Sequence, residues 1–454
     1  MNPKLYAKYD VPGPRYTSYP TVPYWEEGGF SEAGWIRRLR RAYEATNGSR
    51  GISLYVHLPY CESLCTFCGC TRQISRNHSL EAPYISRLLE EWALYRSRLA
   101  APPRIRELHL GGGTPTFFSA DNLTRLVEGL LTGASLTADA ELGFEAHPNS
   151  TTEDHLKRLN EAGFTRLSLG VQDLDPEVQR AINRRQSLEQ ITAVTDTARS
   201  IGYDSINFDL IYGLPRQRLS CVAQTFEAVV AIAPERIAFY GYAHVPWRKG
   251  VAQRGFDESE IPVGAAKRRL YERGRRALEE AGYREIGLDH FALPGDALYR
   301  AAVDGTLHRN FMGYTPVDTR VTIGLGMSAI GDSGDAFAQN EKNVKAWASR
   351  VTEGRLPLAR GHLLNAEDLR IRRHILDLMC RLETDWADSD LPDSDLTAIK
   401  SRLVDLETDA LVEIGESRVR VTEKGRPFLR TVCMAFDLRL WRALPANPTF
   451  SRAI

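Results

Sequence analysis

Four cysteines, Cys61, Cys65, Cys68 and Cys70, fall within ten residues of a 454-residue chain that has only three others, Cys221, Cys380 and Cys433. They follow an apolar run, Leu54-Tyr-Val-His-Leu-Pro-Tyr60, so a strand delivers a short thiol-rich loop. The spacing C-x3-C-x2-C suits a cubane iron–sulfur cluster held by three thiolates, which leaves one iron without a protein ligand and therefore open to chemistry. Structural zinc usually draws two ligand pairs from separated segments, and only one C-x2-C pair is present here. Zinc, a cluster fully ligated with Cys70 as fourth ligand, and a disulfide-linked group are the competing readings. An odd number of cysteines and the absence of a secretory signal argue against disulfides.

Further chemistry-bearing residues recur at the ends of short apolar segments. Ile105–Leu110 runs into Gly111-Gly-Gly-Thr-Pro-Thr116, Glu141–Ala146 carries Glu145, and Arg166–Val171 ends at Gln172-Asp173. Ser205–Ile211 carries Asn207 and Asp209, and Arg236–Tyr242 ends at Ala243-His244. A glycine run there exposes backbone amides and lets a polar ligand approach closely, although a plain tight turn has the same composition. It matches neither G-x-G-x-x-G nor a P-loop, so dinucleotide and triphosphate readings are weak. Each polar residue alone reads equally as a satisfied strand end. Together they favour a common ligand.

The elements that must position these groups are strands alternating with helices. With Ile52–Leu58 there are six strands, separated by helical stretches such as Tyr84–Leu99, Leu123–Leu131 and Leu188–Ile201. Six units are too few for a closed eight-fold barrel, so the expected fold is an α/β, open, partial (βα)6 barrel. In such folds the carboxyl ends of parallel strands share the face that carries the site. Residues 1–50, with Val11-Pro-Gly-Pro-Arg15-Tyr-Thr-Ser-Tyr-Pro20, are expected as a covering segment, with Arg15 available to face an anion. Residues 51–360 would form the barrel and substrate-site elements. Residues 361–454 would form a mainly helical, winged-helix-like domain, from a helix over Leu369–Met379, a helical Leu403–Ile414 and a hairpin at Glu416–Val421.

Lysine plus arginine and aspartate plus glutamate balance at 58 each, so nothing general favours nucleic acid or an acidic membrane, and the tail reads as a lid or packing domain. A composition of 43% hydrophobic and 26% charged residues is that of a globular protein. No segment has signal-peptide or bilayer-spanning character, so the expected setting is the cytoplasm.

Cys61-x3-Cys65-x2-Cys68 with Phe67, followed by the glycine motif and six βα units, resembles the radical S-adenosylmethionine superfamily. Tyr55-Val-His57-Leu-Pro, Cys70, Gly170-Val-Gln-Asp173, Asp209-Leu-Ile-Tyr-Gly-Leu-Pro215, Asp289-His-Phe-Ala292 and His308-Arg-Asn-Phe311 narrow the likeness to the oxygen-independent coproporphyrinogen III oxidase family. The resemblance spans almost the whole chain. It implies oxidative decarboxylation of two propionates of coproporphyrinogen III to vinyl groups, in haem biosynthesis, by a 5′-deoxyadenosyl radical. That radical abstracts hydrogen from the propionate β-carbon, after which carbon dioxide and one electron leave. It also implies a [4Fe–4S] cluster on Cys61, Cys65 and Cys68, and two molecules of S-adenosylmethionine. Tyr55, Gly112, Glu145 and Ile330 would contact the first, and Phe67, Gly113, Thr114, Gln172, Arg184, Asp209 and Ala243 the second. Cys70, His57, Glu145 and Arg184 are the implied catalytic residues. A monomer served by a reduced flavodoxin- or ferredoxin-type electron donor completes what the likeness implies.

Three places depart from the family pattern: His147 where an aspartate is usual, Met312 where a glutamine is usual, and Thr315–Ile323 in place of a more acidic run. They bear on substrate identity more than on cluster chemistry. A radical methyltransferase acting on another substrate is one alternative, and a non-catalytic haem chaperone is another. The chaperone usually has an aromatic residue at the Cys70 position and lacks the Gly13–Pro20 segment.

Overall fold

The computed structural model describes residues 3–25, 29–248, 250–387 and 391–453. All six expected strands are present: β1 (Ile52–Leu58), β2 (Arg104–Gly112), β3 (Ser135–Ala146), β4 (Arg166–Gln172), β5 (Ser205–Tyr212) and β6 (Arg236–Gly241). They pair in parallel in that order. Helices Glu81–Arg96, Ala120–Leu131, Glu153–Glu161, Leu188–Ile201 and Leu219–Ile232 make the crossovers. The two faces of each strand have different jobs. In β1, Leu54, Val56 and Leu58 are fully buried in the main apolar core, while Tyr55 and His57 point the other way, into the mouth of the sheet. Each such aliphatic side chain contributes roughly 1.5–3 kcal/mol by leaving water.

The sheet is wider than the expected six strands. Six more strands follow in sequence beyond β6 and widen the sheet at both edges: β7 (Arg284–Gly287) and β8 (His290–Ala292) extend the β6 edge, while β9 (Thr322–Leu325) and β10 (Ile330–Asp332) extend the β1 edge, where β11 (Ala336–Asn340) and β12 (Leu358–Leu363) complete it. The spatial order is β12-β11-β10-β9-β1-β2-β3-β4-β5-β6-β8-β7. Strand β9 pairs in parallel with β1, and the remaining additions are antiparallel. The departing run 315–323 thus leads into a strand beside β1, and carries Ile330 to the sheet's open face through β10.

A second apolar core joins the two ends of the chain. Leu5, Tyr6, Tyr9, Tyr16 and Tyr19 pack with Ile371, Leu403, Phe428 and Phe436, and Tyr6 stacks on Phe428 at 5.3 Å between ring centroids. The helix expected over Leu369–Met379 spans Ala366–Arg381. The expectation for Leu403–Ile414 needs correction: a helix runs Asp393–Thr408, and Val412–Ile414 is a strand. Ala410 at φ 56° takes the chain out of the helical region, and buried Leu411 then leads into the sheet. Val412–Ile414 pairs with Arg418–Val421, which also pairs with Glu383–Asp385, so the wing has three strands. Among the described residues, no helix is long and apolar enough to cross a membrane.

Candidate active site

The cysteine loop is tied at both ends and along its length. Tyr60–Cys61 pairs with Gln73–Ile74, and Gln73 N donates to Pro59 O at 2.8 Å, closing the loop's neck. Outside it, Thr66 N donates to Ile182 O, Asn183 Nδ2 to Leu64 O and Ala252 N to Cys68 O. Cys61, Cys65, Cys68 and Cys70 all line one cavity of about 350 Å³. Thr114 Oγ1 donates to Cys61 Sγ at 3.3 Å and Arg184 Nη1 to Cys65 Sγ at 3.7 Å. Burial pushes Cys61 up to about 11, whereas a hydrogen bond from the Cys70 thiol brings Cys68 down to about 6 and raises Cys70. Among the described residues, no three His, Cys, Asp or Glu side chains close around a single ion.

The glycine run is an extension of β2 and not merely a turn after it. Gly113 N donates to Leu58 O at 2.8 Å and Thr114 N to Tyr60 O at 3.0 Å, which fastens the run to the segment that delivers Cys61. Gly112 has φ 115°, and a Cβ there would lie 2.6 Å from the His57 ring. A Cβ on Gly111 would lie 2.8 Å from Glu145 Oε1. Only glycine leaves room for these two side chains. His57 Nε2 donates to Thr71 O at 2.9 Å, which makes Nδ1 the acceptor for Tyr55 OH at 3.1 Å. Burial lowers the His57 pKa, so the ring is neutral. Gly112 N donates to Glu145 Oε2 at 3.1 Å, and His109 lies 3.4 Å from Oε1. Burial alone would raise Glu145, but His109 and the Gly112 amide hold it below its ordinary range.

Strand register carries the site across the sheet. Glu145 lies opposite Ser168, Ser168 opposite Asn207, and Gly170 opposite Asp209. Asn207 Nδ2 donates to Asp209 Oδ1 at 2.8 Å, and Ser168 Oγ reaches Oδ2 at 3.4 Å. Burial, helped by the nearby Glu145 charge, pushes Asp209 up to about 7. Gln172 sits at φ 65°, a costly backbone state for a residue with a Cβ, which places its side chain beside Gly170 and Arg184. Arg184 Nη2 donates to Gly170 O at 2.5 Å, and its buried Nε has no protein partner. His147 lines the same cavity and is driven down to about 3 by burial and by Arg184, so it is neutral there.

Most of the expected residues converge. Phe67, Gly112, Gly113, Thr114, Glu145, Gln172, Arg184 and Asp209 line the cysteine cavity. Tyr55, His57 and Ile330 line a neighbouring cavity of about 290 Å³ that shares Cys70, Gly112 and Glu145 with the first. Ala243 lines neither, but its carbonyl accepts from Gln253 Nε2 at 2.8 Å, and the same amide donates to Phe67 O at 3.0 Å. Gln253 and His109 are the site residues the sequence reading missed. His109 had a signal, as a polar residue in phase with the inward face of an apolar strand. Gln253 had none, because it lies in irregular chain.

Three thiols open to one cavity, an unpartnered guanidinium donor and a stretch of wall without Cβ atoms at Gly112 and Gly113 fit a thiolate-bound cluster with a polar organic cofactor beside it. The chain's residues 55–229 match the radical SAM superfamily. It is 38% identical over 460 residues to the oxygen-independent coproporphyrinogen III oxidase of Pseudomonas aeruginosa, covering 99% of this chain and 98% of the relative. The Escherichia coli protein of the same name is 39% identical over 455 residues, at 99% and 98% coverage. A solved structure of coproporphyrinogen III oxidase from Escherichia coli, described as a radical SAM enzyme, superimposes with a TM-score of 0.87 over 93% of this chain and 97% of that one. The chain belongs to the oxygen-independent coproporphyrinogen III oxidase family of the radical SAM superfamily.

Proposed function

We propose that this protein converts two propionates of coproporphyrinogen III to vinyl groups without oxygen, as a radical SAM oxidoreductase of haem biosynthesis. The observation that carries the reading is the convergence of the cysteine loop with Glu145, Gln172, Arg184 and Asp209 on one cavity, in a chain that matches its relatives end to end. Cys61, Cys65 and Cys68 would hold the [4Fe–4S] cluster. When bound there, the cluster and S-adenosylmethionine would supply radical chemistry for hydrogen abstraction from the propionate β-carbon. Glu145, oriented by His109 and the Gly112 amide and kept ionised, suits a cofactor's ammonium or hydroxyl groups. Arg184 would offer its free Nε to a carboxylate, as the planar guanidinium favours. Asp209 and Gln172 supply acceptor and donor groups on the far side of the cavity, where a second S-adenosylmethionine would lie. Tyr55 and neutral His57 would orient the first cofactor against Ile330. Cys70 borders both cavities, so its thiol would stand between cofactor and substrate. A flavodoxin- or ferredoxin-type donor would supply the reducing electron, and the protein would act as a cytoplasmic monomer.

The test is anaerobic reconstitution of the holoenzyme followed by incubation with coproporphyrinogen III, reductant and S-adenosylmethionine. Formation of 5′-deoxyadenosine together with a divinyl porphyrinogen and carbon dioxide is the expected result. Cofactor cleavage without decarboxylation would replace the reading with a sister radical reaction. Porphyrin binding with no cofactor cleavage would make the protein a carrier.

A further inference from the structure

A third cavity, of about 240 Å³, lies where β5 and β6, helix Gly264–Glu280, the N-terminal segment and the chain's last third meet. Basic side chains in its wall outnumber acidic ones eight to three. Several of the basic groups are spent on the protein itself: Arg268 and Arg275 on Glu272, Arg426 on Glu423, and Arg430 on the carbonyls of Gly13, Pro14 and Arg452. Two are not. Lys267 Nζ donates to Tyr242 O at 3.1 Å and has no carboxylate partner among the described residues. The Arg309 guanidinium lies over the Tyr314 ring, 4.5 Å from its centroid, and its Nε and Nη1 are buried without any protein partner. Arg15 is close by, donating to Gly241 O at 2.7 Å and sitting 3.6 Å from Asp289. Burial, with Arg15 and Arg430 adding repulsion, drives Lys267 down to about 8. Like charges buried together and guanidinium donors left without acceptors are costly unless an anion joins them.

The cavity is continuous in its walls with the radical site. Phe311 and Met312 line both it and the cavity of Tyr55, His57 and Ile330, which in turn shares Cys70, Gly112 and Glu145 with the cysteine cavity. The proposed substrate carries four propionates on one macrocycle, of which only one at a time can face the radical.

We propose that Arg309 and Lys267, with Arg15 at the rim, bind the propionate carboxylates that are not reacting, and so select a tetracarboxylate porphyrinogen and hold its reacting arm past Phe311 and Met312 toward Cys70. This rests on the functional reading above. Arg309 would offer a planar pair of donors and Lys267 a single charge to the carboxylates. The N-terminal segment and the last third of the chain both contribute to this wall, so the proposed site is complete only where the two are packed together.

The probe is coproporphyrin III, an air-stable oxidised form of the substrate, compared by fluorescence titration of the reconstituted holoenzyme with mesoporphyrin IX, in which two propionates are replaced by ethyl groups. The wild type should prefer the tetracarboxylate. Arg309→Gln and Lys267→Gln should each weaken coproporphyrin III binding roughly 10-fold or more, the worth of one charge-assisted hydrogen bond. They should weaken mesoporphyrin binding less, and raise KM for coproporphyrinogen III more than they lower kcat. Arg309→Lys, which keeps the charge, should restore part of the preference. If both glutamine variants retain the wild-type preference and KM, the proposal fails while the functional reading stands. If the wild type neither binds coproporphyrin III nor turns over its reduced form, both fail.

Discussion

Gly113→Ala separates a glycine needed for architecture from one needed for chemistry. A Cβ built there meets Pro59 O at 2.5 Å, the Pro59 carbonyl carbon at 2.6 Å and Tyr60 O at 2.9 Å. These are backbone atoms and cannot swing aside as a side chain can. Ordinary contact begins near 3.4 Å, so the two segments would have to part by about 0.9 Å. Overpacking of this kind costs about 1–3 kcal/mol. Parting also strains the bonds from Gly113 N to Leu58 O and from Thr114 N to Tyr60 O, each worth about 1 kcal/mol net. The loss therefore totals roughly 3–5 kcal/mol if both break. It falls on the junction that delivers Cys61 and sets Thr114 against its sulfur.

The expected outcome is a Tm lowered by several degrees and less iron retained per chain after anaerobic reconstitution, with cofactor cleavage reduced in step with iron. Gly111→Ala is the control. Its Cβ meets the Glu145 carboxylate and the Tyr55 ring, both side chains, so iron and Tm should stay near wild type while S-adenosylmethionine binds more weakly. A Gly113→Ala protein with wild-type Tm, iron content and turnover would refute the reasoning.

Glu91 is fully buried and accepts from Gly326 N at 2.8 Å, Trp347 Nε1 at 2.9 Å and Asn340 Nδ2 at 2.6 Å. Glu91→Gln turns one acceptor into a donor facing donors and should cost about 2–4 kcal/mol in urea unfolding; a change under about 0.5 kcal/mol would contradict this. Asp209 has a folded pKa raised to about 7 by burial, so its contribution to stability is fully present below its unfolded value near 4 and is lost as pH rises through about 7. Asp209→Asn should therefore gain stability relative to wild type between pH 5 and pH 8 in the cofactor-free protein. Parallel melting profiles of the two proteins across that range would dismiss the effect.

The six parallel strands were legible because strands buried on both faces read as apolar runs, and β1 coincides with its expected span of Ile52–Leu58. The flanking strands were not. His290–Ala292 and Ile330–Asp332 are three residues each, too short to show a period, and β9 finds its parallel partner in β1 from the far side of the chain. Nor did local pattern reveal that Tyr6 stacks on Phe428 and Tyr9 meets it edge-on, since an aromatic segment's partner is a tertiary choice.

The site shows the same division more sharply. Residues on strand ends could be placed in advance because parallel topology brings all carboxyl ends to one face; Glu145, Gln172 and Asp209 needed only that rule. His109 lies against Glu145, and Gln253 ties the carbonyls of Phe67 and Ala243 together, so both support residues of the candidate site. Supporting residues are selected by where a partner's second lone pair or carbonyl happens to point, which only coordinates reveal. The cationic cavity follows the same logic at larger scale. Arg15, Lys267, Arg309 and Arg430 are spread over more than four hundred residues of a chain with zero net charge, so no stretch of sequence announces a basic site. Charge neutrality offers no general case for a polyanion surface, and it says nothing of a local excess assembled by folding.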